Sequence, residues 1–134
     1  MRFIACGDSL FSSRNLKKRL DQKLVSLLLA ADGVFTNAEF CTPEPSTPPA
    51  AGRGYMTSVR PSLLDEFASL NIRMLSFVNN HTGDYGWQGV LDTMNAAEKR
   101  NLIACHTPTI HRIPADIHES TAESKYPDSR ILQD

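Results

Sequence analysis

No apolar run in the sequence approaches the roughly 20 residues that a membrane-spanning helix requires. The apolar start, residues 1–6, breaks at Gly7-Asp8 too soon to be the core of a signal peptide. No membrane span is therefore expected, and the sequence reads as cytoplasmic. Charge of either sign is nowhere in surplus, with a net value of −1 at pH 7, which removes any electrostatic reason to expect nucleic acid or an anionic membrane as partner. Cysteine is scarce. Cys6, Cys41 and Cys105 are odd in number, scattered and never spaced as CxxC, a pattern that favours reduced buried thiols over disulfides or a metal clip. What is present is ordinary: 134 residues, 41% hydrophobic and 22% charged, suffice for one globular domain with a core but not comfortably for two.

Residues 2–6 are predicted to form a short buried strand ended by Gly7. Over 15–31, Leu16, Leu20, Leu24, Leu27 and Leu28 recur at helical spacing, with Lys17, Lys18, Arg19 and Lys23 mostly off that face, which predicts one amphipathic helix. A second strand is predicted over 33–36, followed by a proline-rich loop over 41–60. Pro61 opens a second helix, with Leu63, Leu64, Phe67 and Leu70 as its buried stripe. Residues 72–78 make the clearest strand. A third helix follows over 87–100, with Val90, Leu91, Met94 and Ala97 on one side, and a fourth strand over 102–105. This alternation is that of an α/β fold, a parallel β-sheet with crossover helices. Right-handed crossovers align the strands and place the loops that begin at Gly7, Asn37 and Asn79 on one edge. A parallel sheet is normally covered on both faces, and three helices are few for that. A partner or a homo-oligomer contact over the open face, or further chain, is implied. Residues 1–107 are thus assigned to a partial α/β domain, and 108–134, polar and aperiodic, to an irregular or disordered tail.

Each of the three loops carries residues capable of chemistry. Gly7-Asp8-Ser9-Leu10 spells the GDSL signature of serine esterases, in which Ser9 would be the nucleophile. The D-x-x-H pair and the glycine-x-asparagine-aspartate block of those enzymes do not occur, and a tight turn capped by Asp8 is the structural alternative. In the second loop Asn37 and Glu39 alternate in extended chain and can point the same way. Glu39 is then a metal ligand, an acid/base group or a salt-bridged structural carboxylate. The third loop, NNHTGDYG over 79–86, sets two amides, an imidazole and a carboxylate directly after a hydrophobic strand. A functional loop is expected there, against the alternative of a structural histidine among turn-forming asparagines, because three loops on one edge supply complementary ligand types.

The segment LNIRMLSFVNNHTGDYGWQGVLDTMNAAEKRNL, with its NNH-x-x-D-x-G block, resembles the core of the CapA family of capsule and poly-γ-glutamate synthesis proteins. The Gly7-Asp8 turn and the N-x-E of VFTNAEF match that family's earlier blocks, so the likeness runs from residue 2 to about residue 105. The resemblance implies the first half of an αββα sandwich like that of calcineurin-like metallophosphoesterases, with a dinuclear site for divalent metal (Mn, Fe, Zn or Mg). Carried over residue by residue, Asp8 and Asn80 would be metal ligands, Glu39 the bridging ligand, and His81 the proton donor or phosphate-contacting group. Asp84 and Gly86 would shape the turn into the third helix. The implied substrate is a phosphoester or a polyanionic glutamate polymer, which Arg53 and Arg60 of the proline-rich loop could cover unless that loop is simply solvated. Leu10 stands where the phosphoesterase D-x-H pattern has its histidine, and His106, His111 and His118 are not embedded like the later histidine ligands. The resemblance therefore implies an N-terminal portion with an incomplete metal site. A non-catalytic assembly or accessory module, using the uncovered sheet face, is the alternative from a different class, and a GDSL esterase is the third.

Overall fold

Short clusters of β-branched and aromatic residues, each stopped by a polar or glycine-bearing turn, give four strands: β1 (Phe3–Ser9), β2 (Gly33–Ala38), β3 (Ile72–Ser76) and β4 (Ile103–Cys105). Between them lie α1 (Leu16–Arg19), α2 (Gln22–Leu29), α3 (Leu63–Ser69) and α4 (Gly86–Glu98). The structure, a computed structural model, describes residues 1–10, 14–52 and 54–105. The tail expected over 108–134 lies outside the described residues, as do Arg53, His106, His111 and His118.

All three strand pairings are parallel and the order is β1-β2-β3-β4, as an α/β reading requires. A sheet whose order follows the chain, joined by right-handed crossovers, carries its helices on a single face. Burial agrees. Val34, Thr36 and Ala38 of β2 are buried, whereas Phe35 and Asn37, which point the other way, are only half-buried. On the face that the described residues leave uncovered, Ala5, Phe35, Met74 and Ile103 stand in register across all four strands as an apolar row. Phe3 and Ile103, at its margins, are each 61% exposed.

Two register irregularities set which side chains face where. Between Ala5 and Asp8 β1 advances three residues while β2 advances two, from Phe35 to Asn37. The extra residue at Cys6-Gly7 is a β-bulge, and it reverses the alternation beyond it. A second shift, on β3 opposite Val34 and Phe35, lets Ile72 and Leu75 both face the core although they are three apart.

The helix expected over 15–31 is two helices. Leu20 is extended, with ψ of 151°, and Asp21 starts α2 afresh by accepting from the amides of Lys23 and Leu24. The start of α1 is capped from α3, where Glu66 accepts from Asn15 N at 2.9 Å and Leu16 N at 2.6 Å. The break turns α2, so Leu16, Val25 and Leu28 are buried while Leu24 and Leu27, expected in the same stripe, are exposed. Phe40, just past β2, anchors the core between Phe67 and Phe77, with ring centroids 5.9 and 6.4 Å away.

On α4 Val90 and Ala97 are buried as expected, Leu91 and Met94 only partly, and two polar residues, Asp92 and Thr93, are buried in addition. They face the proline-rich segment. Thr93 Oγ1 accepts from Thr42 N at 2.8 Å, and Asp92 accepts from Glu44 N, Thr47 Oγ1 and Gln88 Nε2. That segment is therefore fastened to the domain and is not a freely solvated loop. None of the three cysteines is in a disulfide, and of these only Cys41 is buried; Cys105 is exposed and Cys6 half-buried, where burial pushes its thiol pKa up.

Candidate functional site at the carboxyl edge of the sheet

The bulge in β1 decides what its end presents. Beyond it, Asp8 pairs with Asn37 on the open-face side and Ser9 pairs with Ala38 on the helix side. Ser9 is accordingly buried. The Thr36 hydroxyl donates to the carbonyl of Gly7 at the bulge, 2.8 Å away, so the Ser9 hydroxyl donates to Thr36 Oγ1 at 2.6 Å. A nucleophile must face its substrate, and Ser9 faces the core. The GDSL spelling is the mark of a bulged strand end here.

Asp8, Asn37 and Glu39 share one side of the edge. The Nδ2 of Asn37 donates to Asp8 Oδ1 at 2.9 Å and to Glu39 Oε1 at 2.6 Å. Its Oδ1 accepts from Asn79 Nδ2 at 3.1 Å, and the same nitrogen of Asn79 also donates to the Ala38 carbonyl at 2.9 Å. Asn79 Oδ1 accepts from His81 N at 3.0 Å, so one side chain ties the β3 loop to β2 and shapes the turn carrying the histidine. The Thr82 hydroxyl closes that turn on the carbonyl of Phe77.

His81 is mostly buried, with 13% side-chain exposure. Its Nδ1 lies 2.7 Å from Oδ2 of Asp84, a wholly buried carboxylate whose Oδ2 also accepts from Thr57 N at 2.8 Å. The other ring nitrogen, Nε2, lies 3.9 Å from Glu39 Oε2. Tyr55 of the proline-rich segment stands edge-on to the imidazole, with centroids 6.0 Å apart at 77°. The structure thus brings together Asp8, Glu39 and His81 of the four expected site residues. The fourth, Asn80, is an exposed residue of the same loop, next to Asn79, which bonds to Asn37 and Ala38.

Asn37, Asn79 and Asp84 belong to the site in their own right. All three lay inside the N-x-E and NNH-x-x-D-x-G blocks, but a motif does not say which of two adjacent asparagines turns inward. The implied dinuclear metal centre fits these residues poorly. Among the described residues no three of His, Cys, Asp or Glu converge as ligands, and the point shared by Asp8 and Glu39 is taken by an amide nitrogen, a donor where a cation needs acceptors.

An all-parallel α/β unit with two carboxylates and a carboxylate-held histidine at the carboxyl ends of its strands is the class that fold and site define together. The chain belongs to the bacterial capsule synthesis protein family PGA_cap, whose model matches residues 2–105. No curated protein matches the sequence. Among the described residues no helix is long and apolar enough to cross a membrane.

Proposed function

We propose that the chain contributes an acid–base centre to capsule synthesis, with His81 exchanging a proton with a phosphoester or with a link of an anionic polymer such as poly-γ-glutamate. The observation that carries this reading is the 2.7 Å contact between His81 Nδ1 and buried Asp84. An ionised carboxylate only accepts, so Nδ1 keeps its proton and the exchangeable position is Nε2. The 3.9 Å between Nε2 and Glu39 Oε2 is too long for a hydrogen bond, so Glu39 does not itself occupy the exchangeable position. Asp8 and Glu39 make the edge acidic, so the pendant charges of a polyanion are repelled from it and the link itself would face His81. The divalent metal (Mn, Fe, Zn or Mg) implied by the resemblance finds no converging donor set among the described residues, and no step here runs through it.

The test is cleavage of poly-γ-glutamate, followed by chain length, and of a nitrophenyl phosphodiester, followed by absorbance. His81→Ala is expected to lower whichever rate is present by about 10²–10⁴-fold, the usual contribution of a positioned acid or base. Cleavage indifferent to that substitution would remove the reading. The apolar row of Ala5, Phe35, Met74 and Ile103 favours a second reading, an assembly or accessory module whose open sheet face is covered by another chain or a second copy.

A further inference from the structure

We infer that the side-chain amide of Asn37 holds the place of a bridging cation between Asp8 and Glu39, so that this chain assembles its acidic edge without a metal. The inference does not rest on the acid–base reading, because the His81 imidazole enters neither its bonds nor its test.

Two carboxylates on one side of neighbouring strands repel one another unless something positive lies between them. Asn37 supplies it. The two hydrogens of one nitrogen go to two different carboxylates, at 2.9 Å to Asp8 Oδ1 and 2.6 Å to Glu39 Oε1. Which end of an amide faces its neighbours follows from the surrounding bonds, and here the main chain settles it. The Oδ1 of Asn79 accepts from the backbone N–H of His81, and its Nδ2 donates to the backbone carbonyl of Ala38. Asn79 therefore has one orientation, and its Nδ2 requires an acceptor, Oδ1, on Asn37. That leaves Nδ2 of Asn37 for the carboxylates. A cation seated between Asp8 and Glu39 would need this amide turned over, which breaks both carboxylate bonds and sets two Nδ2 groups, those of Asn37 and Asn79, against each other.

The test is thermal unfolding of the whole chain in EDTA, in millimolar Mg²⁺ and in millimolar Mn²⁺. The wild-type Tm is expected to be the same in all three. Asn37→Asp replaces the donor by a third carboxylate. It is expected to lower Tm by several degrees in EDTA and to recover that loss in Mn²⁺, because the substitution turns the edge into a cation site. A wild-type Tm that rises with Mn²⁺, the rise vanishing in Asp8→Asn, would overturn the inference. So would an Asn37→Asp variant as stable as wild type in EDTA. Should that variant not fold, the side-chain NH₂ signals of Asn37 in a nitrogen-15 correlation spectrum decide. They are expected to be unchanged by Mg²⁺ and displaced in Asp8→Asn; displacement by Mg²⁺ in the wild type overturns the inference equally.

Discussion

Asp84 serves two donors with a single oxygen: Oδ2 accepts from the Thr57 amide and from His81 Nδ1. Asp84→Ala should therefore act twice. Leaving the buried Thr57 N–H without its acceptor costs about 1–3 kcal/mol of stability, readable from a urea midpoint. The imidazole also loses the partner that keeps a proton on Nδ1, so nitrogen-15 shifts of the His81 ring should move toward the Nε2–H form that free histidine favours. Asp84→Asn, which retains an oxygen at that position, should preserve the Nδ1–H form. At this scale the sequence was informative about composition and silent about direction. The 79–86 loop was legible as functional from an imidazole, amides and a carboxylate directly after a hydrophobic strand. That Asn79 bonds to the sheet goes with its side chain capping the His81 amide, which residue types alone do not reveal. Asp84 read as a turn-former because its second donor, Thr57, lies 27 residues away.

The proline-rich segment is the element whose behaviour composition misstated. Proline has no N–H to give, and the pairing within the described part of the segment is an isolated bridge between Cys41 and Ser58. Four of its other donors, Thr42 N, Glu44 N, Thr47 Oγ1 and Thr57 N, go to side chains of α4 and of the loop before it. This is why Asp92 and Thr93 are buried on a helix whose apolar pattern predicted otherwise. Burial alone would raise the Asp92 pKa, but hydrogen bonds from Thr47, Glu44 N and Gln88 outweigh it and hold the carboxyl below its ordinary value. A carboxyl whose pKa is lower in the folded state stabilises the fold above its unfolded pKa of about 3.9, and that contribution is lost as pH falls through the folded value. The fastening should thus be complete at neutral pH and weaken below about pH 4, near and under that unfolded pKa. Asp92→Asn should flatten this acid limb in urea midpoints measured against pH. The break between α1 and α2 was equally hidden, since the leucine spacing runs unbroken through Leu20 and only Asp21, a good N-cap, marks it.

At the scale of the whole molecule, strand order is the controlling fact. The alternation of strands and helices was readable as a parallel sheet, and so was the expectation of too few helices for two faces. The order β1-β2-β3-β4 makes that shortage one-sided, with the apolar row of Ala5, Phe35, Met74 and Ile103 left uncovered by the described residues. Self-association through this face predicts a light-scattering mass above that of one chain at micromolar concentration. Ile103→Glu places a charge at a position 61% exposed, where the cost to folding is within about 0.5 kcal/mol. It should bring the mass down to a single chain with Tm nearly unchanged. A wild type that already runs as one chain would count against the assembly reading and leave the His81 test untouched.

The extra residue of β1 separates two vocabularies written in the same four letters. With it, Gly7-Asp8-Ser9-Leu10 presents an acid and hides an alcohol; without it, plain alternation would present the alcohol and hide the acid. Point substitutions leave that phase alone. Loss or gain of a single codon around Cys6 and Gly7 would exchange it at a stroke. In any lineage of this chain, the length of the first strand therefore says more about its chemistry than the spelling of its turn.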